Sequence, residues 1–197
     1  MRLPAFNEQE RALFAAASAV EEKDAYTATH PRRVASIALH LGMRLGLQDS
    51  DLLALFRGGL LHDIGKIFVP IAILRKLGSL NADEAKEMRT HPAVGERIIR
   101  RLSSATDLLN IVRYHHERFD GGGYPDGLRG HKIPLLARIV SVSDARDALT
   151  SDLPYRARRL PEEAMEILIR GAGKQWDRGL VSLLISEWPA RRLQAAS

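Results

Sequence analysis

The stretch Gly58-Gly-Leu-Leu-His-Asp-Ile-Gly-Lys-Ile-Phe-Val-Pro70, GGLLHDIGKIFVP, ends an apolar run with a histidine and an aspartate side by side. Upstream, residues 51–62 place apolar side chains at three- and four-residue spacing, the period of a helix with one buried face. His62 and Asp63 therefore stand where a core helix runs out. A polar helix end is unremarkable alone, so the meaning of the pair depends on what else the chain supplies.

The same helical period recurs near residues 8–22, 29–46, 82–88, 92–102, 106–117, 134–150, 161–171 and 178–187, and no run alternates strictly enough to predict a strand. Ser50 is the expected N-cap of the segment that begins DLLALF, Thr90 and Pro92 open HPAVGERII, and Pro134 and Pro161 suit first-turn positions. The fold class is all-α, with no repeat, low-complexity tract or linker, so residues 1–197 are expected to form one domain.

Composition narrows the chemistry. With 45% hydrophobic and 27% charged residues among 197, a real core is affordable. Cysteine is absent, so disulfides and thiolate metal sites are excluded and any metal must be held by nitrogen and oxygen. Apolar runs such as ALFAAASAV are too short to cross a bilayer, and acidic residues near the start argue against a secretory signal; a cytoplasmic location is expected. The net charge of +5 is spread along the chain, with dense basic clusters only at 156–159 and 191–192, so no nucleic-acid partner is predicted.

Histidines stand at 30, 40, 62, 91, 115, 116 and 131, and five of the seven fall at ends of predicted helices, where several helices can converge on one pocket. The helix of 106–117 points His115 and His116 about 100° apart, so the neighbouring rings could serve different ions. His62 can bind one metal while the carboxylate of Asp63 bridges to a second. Asp144 lies in the apolar and small-residue run ARIVSVSDARDALT, a costly place for a charge unless it meets a cation. The set His30, His62, Asp63, His91, His115, His116 and Asp144 offers imidazole and carboxylate only, which suits manganese or iron, with nickel and zinc within the same donor chemistry. His40, amid alanines and leucines of a continuous helix, and His131, beside Lys132 in a loop, are read as solvent-exposed. That loop, FDGGGYPDGLRGHKIP, runs sixteen residues between two helices, long enough to suggest a lid or binding loop.

Taken together, HPRRVA, LLHDIGKIFVP, MRTHPAVG, HHERFDGGGYPDGLRGHKIP, ARIVSVSDARDALTSDLPYR and GAGKQWD resemble, in order and spacing, the motifs of the HD-GYP family, a branch of the HD hydrolase superfamily, over residues 24 to about 185. The resemblance implies an HD-type helical bundle with an added C-terminal helical pair and a long GYP loop, preceded by a leading helix in 1–23. It implies two, sometimes three, metal ions held by the seven residues named above. The activity it implies is hydrolysis of cyclic di-GMP to pGpG, or onward to GMP, by a hydroxide bridging the ions, with Asp63 holding them together. Lys66 would stabilise developing negative charge or protonate the leaving oxygen. Gly123, Tyr124 and Pro125 form the signature loop and, with Lys66, would line the substrate, while Arg156 would contact its phosphate.

Two departures from the family pattern stand out. Leu153 replaces the first arginine of the usual RPYR, removing a paired grip on phosphate. Tyr26 occupies the place where three-metal members carry a glutamate, which favours two ions. The alternatives are an HD hydrolase of another cyclic dinucleotide or nucleotide phosphate, and a low-turnover signalling adaptor that binds a diguanylate cyclase (GGDEF) domain through the GYP loop.

Overall fold

The computed structural model describes residues 8–23, 29–101, 106–152 and 158–188. Leu153, Arg156 and Tyr26, and the basic pair Arg191 and Arg192, lie outside the described residues. Among the described residues the chain is helical, with only an isolated bridge between Ala172 and Trp176 in place of any strand.

The α-helices are α1 (Glu8–Lys23), α2 (His30–Arg44), α3 (Asp49–Leu61), α4 (Ile71–Leu74), α5 (Ala82–Met88), α6 (His91–Arg100), α7 (Thr106–Tyr114), α8 (Leu135–Thr150), α9 (Pro161–Gly171) and α10 (Arg178–Ser186). Short 3-10 turns follow at Ile64–Phe68 and within the long loop at Gly130–Lys132. Pro161 opens α9 and Pro134 caps α8, because a residue with no N–H and a fixed φ suits a helix start. Ser50 does not cap α3: the helix begins two residues earlier than expected, at Asp49, with Gln48 as N-cap. The second correction concerns α7, which ends at Tyr114 rather than continuing to 117, so His115 and His116 sit in the turn beyond it.

Helix α8 is the central post. Leu136, Ala137, Ile139, Val140, Val142, Ser143 and Asp147 are buried and only Leu135 is exposed, as expected of a helix packed on most of its sides. The larger core joins α8 to Val34, Ala38 and Leu41 of α2, Leu55 of α3, Ile111 of α7, Leu168 of α9 and Leu184 of α10. A second cluster, Leu13, Ala17, Leu61, Ile64, Ile99, Leu108 and Val112, packs α1 against α3 and the 3-10 turn at Ile64–Phe68 and joins them to α6 and α7. Between the two clusters the ends of α3 and α7 and the starts of α2 and α6 converge on the face of α8 that carries Asp144.

Close approach at the HD turn depends on Gly65. A β-carbon there would lie 1.9 Å from the carbonyl oxygen of His91 and 2.6 Å from the amide of Gly95. Only a residue without a side chain lets the 3-10 turn lie directly on the first turn of α6, which brings Asp63 and His91 together.

Candidate metal centre

The predicted ligand residues come together as two groups of donor atoms, each within 4.8 Å: Asp63 with His91, His115 and His116, and His30 with His62 and Asp144. The expectation that His115 and His116 serve different ions is therefore corrected. Because α7 stops at Tyr114, their rings are not splayed around a helix; they lie with centroids 4.2 Å apart in one group.

Asp63 stands between the groups. Its Oδ1 lies 3.1 Å from His91 Nε2 and 3.7 Å from His115 Nε2, while Oδ2 lies 3.3 Å from His62 Nε2 and 2.7 Å from Lys66 Nζ. On the far side, His30 Nε2 is 3.4 Å from Asp144 Oδ1.

The Nδ1 atoms explain why the Nε2 atoms face inward. His62 Nδ1 donates to the carbonyl of Gly59 at 2.9 Å, His91 Nδ1 to Met88 at 2.8 Å and His115 Nδ1 to Val112 at 2.9 Å. Carbonyl oxygens only accept, so these contacts place the proton on Nδ1 and leave a lone pair on Nε2 of each neutral ring. The lone pairs of His91 and His115 then face each other across 3.3 Å. That arrangement is repulsive unless a cation lies between them, and it is close to the spacing of two nitrogens sharing an ion at ~2.0–2.1 Å. His62 Nε2 and Asp63 Oδ1 are buried and make no hydrogen bond, a state that in folded proteins calls for an ion or water. Five imidazoles and two carboxylates without thiolate fit a divalent first-row ion.

Charge follows the same division. Burial opposes ionisation of Asp63, but Lys66 and then His62 draw its carboxyl well below the usual range. Burial likewise opposes a charged His62, yet Asp63 carries it up to about 9, so a proton competes with a metal ion for Nε2 of this ring. Burial pushes His115 down to about 4, and burial with neighbouring His115 holds His116 well below its ordinary value. His115 and His116 are thus held neutral, the form in which imidazole binds metal.

Lys66, in the 3-10 turn, is partly buried against Asp63 rather than loose on the surface. Tyr124 stacks on His116 at 4.9 Å and 25°, with the Arg89 guanidinium 5.6 Å from its ring. Pro125 follows through a cis peptide bond. A β-carbon on Gly123 would lie 2.3 Å from the Arg118 amide and 2.6 Å from the His116 carbonyl, so this glycine seats the loop on the histidine pair. His40 is half-exposed, 3.1 Å from Glu187, and His131 is exposed against Phe119; neither joins the centre.

Three residues were missed from sequence. Asp147 accepts from His30 Nδ1 at 2.7 Å and is itself held by Arg33. Glu117 is buried and accepts from the Asp126 and Leu128 amides at 2.7 and 3.1 Å, pinning the GYP loop. The one available signal was an acidic residue directly after the paired histidines and another three residues after Asp144. A cavity of about 330 Å³ opens beside His115, His116 and Asp144, with Ser141, Gln175 and Trp176 also in its wall.

The family model of the HD domain matches residues 7–180. This chain belongs to the HD domain family. Its motifs place it in the HD-GYP branch. It is 40% identical over 149 residues to 3'3'-cGAMP-specific phosphodiesterase 3 of Vibrio cholerae, covering 76% of this chain and 32% of that protein. It is 36% identical over 171 residues to the cyclic di-GMP phosphodiesterase response regulator RpfG of Xanthomonas campestris pv. campestris, covering 86% and 45%. This HD domain thus spans less than half the length of either relative. The crystal structure of the V. cholerae cyclic GMP-AMP specific phosphodiesterase V-cGAP3 superposes with a TM-score of 0.71 at 22% identity, covering 92% of this chain and 49% of that one, and shares its fold.

Proposed function

We propose that this HD-GYP domain is a divalent-metal-dependent phosphodiesterase that hydrolyses a cyclic dinucleotide, with cyclic di-GMP as leading substrate and pGpG, or GMP after a second cut, as product. The observation that carries the reading is the facing of the His91 and His115 lone pairs at 3.3 Å beside the orphaned oxygen of Asp63.

Two ions, manganese or iron with nickel and zinc as alternatives, would be held by His30, His62 and Asp144 on one side, by His91, His115 and His116 on the other, and by Asp63 between. Such ions supply activation of water near neutral pH and neutralisation of phosphoryl charge. The protein's own part is to position and to move protons. Lys66 Nζ, at the rim of the centre, offers a fixed positive charge to the phosphate and a proton to the leaving ribose oxygen. Tyr124, whose phenol is pushed up by burial, keeps its proton and presents it as a donor. The cavity of about 330 Å³ is of a size to take part of a dinucleotide rather than the whole. Arg156 would grip a phosphate from outside the described residues. A GGDEF domain docking on the loop would use its exposed residues, Asp126, Gly127 and Arg129, because Gly123 and Tyr124 are committed to the histidine pair.

The two named relatives act, by their names, on 3'3'-cGAMP and on cyclic di-GMP, so the test is turnover of cyclic di-GMP, 3'3'-cGAMP and cyclic di-AMP by protein loaded anaerobically with manganese or iron. Hydrolysis of cyclic di-GMP fastest supports the leading substrate. Faster 3'3'-cGAMP turnover moves the assignment to that dinucleotide, and no hydrolysis of any of the three overturns it.

A further inference from the structure

We propose that the two ion positions are chemically unlike and that Asp147 is the positioning residue of one of them, acting through His30 and held in place by Arg33. The proposal rests on the two-ion reading above and extends it.

Three of the inward-facing histidines take their orientation locally. His62, His91 and His115 each bond through Nδ1 to the carbonyl three residues earlier, the unpaired oxygen that the end of a preceding helix supplies. His30 opens α2 and has no described helical turn behind it. Its Nδ1 bonds instead to a carboxylate 117 residues away, at 2.7 Å. Asp147 is 2% exposed, buried on the inner face of α8 one turn beyond Asp144. Both its oxygens are occupied. Arg33 Nε reaches Oδ1 at 2.5 Å and its second guanidinium nitrogen reaches Oδ2 at 2.9 Å, while the same guanidinium also binds Ser151 at 3.0 Å and Thr29. A carboxylate fixed by a planar two-pronged donor cannot rotate away, so it dictates the plane and tautomer of the His30 ring.

The consequence is an imbalance between the two groups. The His30, His62 and Asp144 side has a carboxylate of its own, a second behind its first imidazole, and a share of Asp63. The His91, His115 and His116 side has three imidazoles backed, where a partner is seen, by neutral carbonyls, and only its share of Asp63. The first is the harder, more oxygen-rich position and the second the nitrogen-rich one. Asp147 strengthens the first alone.

The test is stepwise uptake of Mn²⁺ by the full chain, followed by calorimetry and by elemental analysis after desalting. Wild type should take two ions. Asp147→Ala should weaken one step by about 10–100-fold and leave the other within twofold. Asp147→Asn, which keeps an acceptor oxygen for Nδ1, should weaken the same step by a smaller factor, and His116→Ala should weaken the opposite one. Two wild-type steps in Asp147→Ala, or equal weakening of both, overturns the positioning role. Should Asp147→Ala not fold, Asp147→Asn decides: selective loss of one step supports the role, and unchanged or uniform weakening refutes it. Uptake of fewer than two ions by wild type defeats the two-ion reading itself, before any variant is compared.

Discussion

Removing Glu117 should free the GYP loop from the paired histidines while leaving the helical core intact. The carboxylate is 3% exposed and accepts two main-chain hydrogen bonds, from Asp126 at 2.7 Å and Leu128 at 3.1 Å. A hydrogen bond to a charged acceptor is worth about 1.5–3 kcal/mol, so two amount to roughly 3–6 kcal/mol at most. Asp126 is exposed and Leu128 only partly covered, so water can replace part of what is lost. A figure of about 2–4 kcal/mol remains for Glu117→Ala, with Glu117→Gln between it and wild type because one acceptor oxygen survives. The assay is amide hydrogen exchange. Protection at Asp126 and Leu128 should fall by roughly 30- to 1000-fold, at about 1.4 kcal/mol per tenfold. Protection at Ile139 and Val140, in the centre of α8, should fall far less, because the loop can open without unfolding the core. Unchanged exchange at Asp126 and Leu128 would refute the reasoning, and so would an equal loss at Ile139 and Val140.

Other consequences are equally direct. Asp63→Asn should reduce turnover by roughly a thousandfold or more and lower metal content on elemental analysis, since an amide neither neutralises nor bridges two cations, whereas His131→Ala should change neither. Chelation of a protein bearing two ions, each at about a hundredfold excess over its Kd, should remove about 2.7 kcal/mol per site and lower Tm by roughly 10–20 °C, which differential scanning calorimetry reads directly. Asp120, held down to about 2 by the Arg118 guanidinium and the Gly122 amide, lends stability that is present above its ordinary pKa near 3.8 and lost as pH falls through about 2. Because that pair is solvent-exposed, its worth is no more than about 1 kcal/mol, and a carboxyl NMR titration with a midpoint near 4 would contradict the pairing. Leu153→Arg should lower KM for cyclic di-GMP by restoring a charged contact to phosphate, with little change in kcat; an unchanged KM would show that residue 153 does not reach the substrate.

What could be read without coordinates was whatever depends on near neighbours in the chain. Helical period is a local property, so each of the nine segments that carried it is a helix, with ends displaced by a few residues at most. The short 3-10 turns and the four-residue α4 are too brief to show a period. Histidines at helix ends were recognisable for the same reason, and the motifs around them named the family. Tertiary structure decided everything that joins distant residues. It ended α7 at Tyr114 and so turned His115 and His116 toward one group instead of two, which no helical wheel could anticipate. It set the two oxygens of Asp63 toward opposite groups through a contact that only Gly65 permits. It brought Gly123 down onto the backbone of His116 to Arg118, a close approach that spacing along the chain does not reveal. And it paired His30 with Asp147 across 117 residues. Sequence spacing carries no term for which face of α8 meets the start of α2; that is settled by how the cores of both helices interlock, and the partner of a buried imidazole is fixed only when they do.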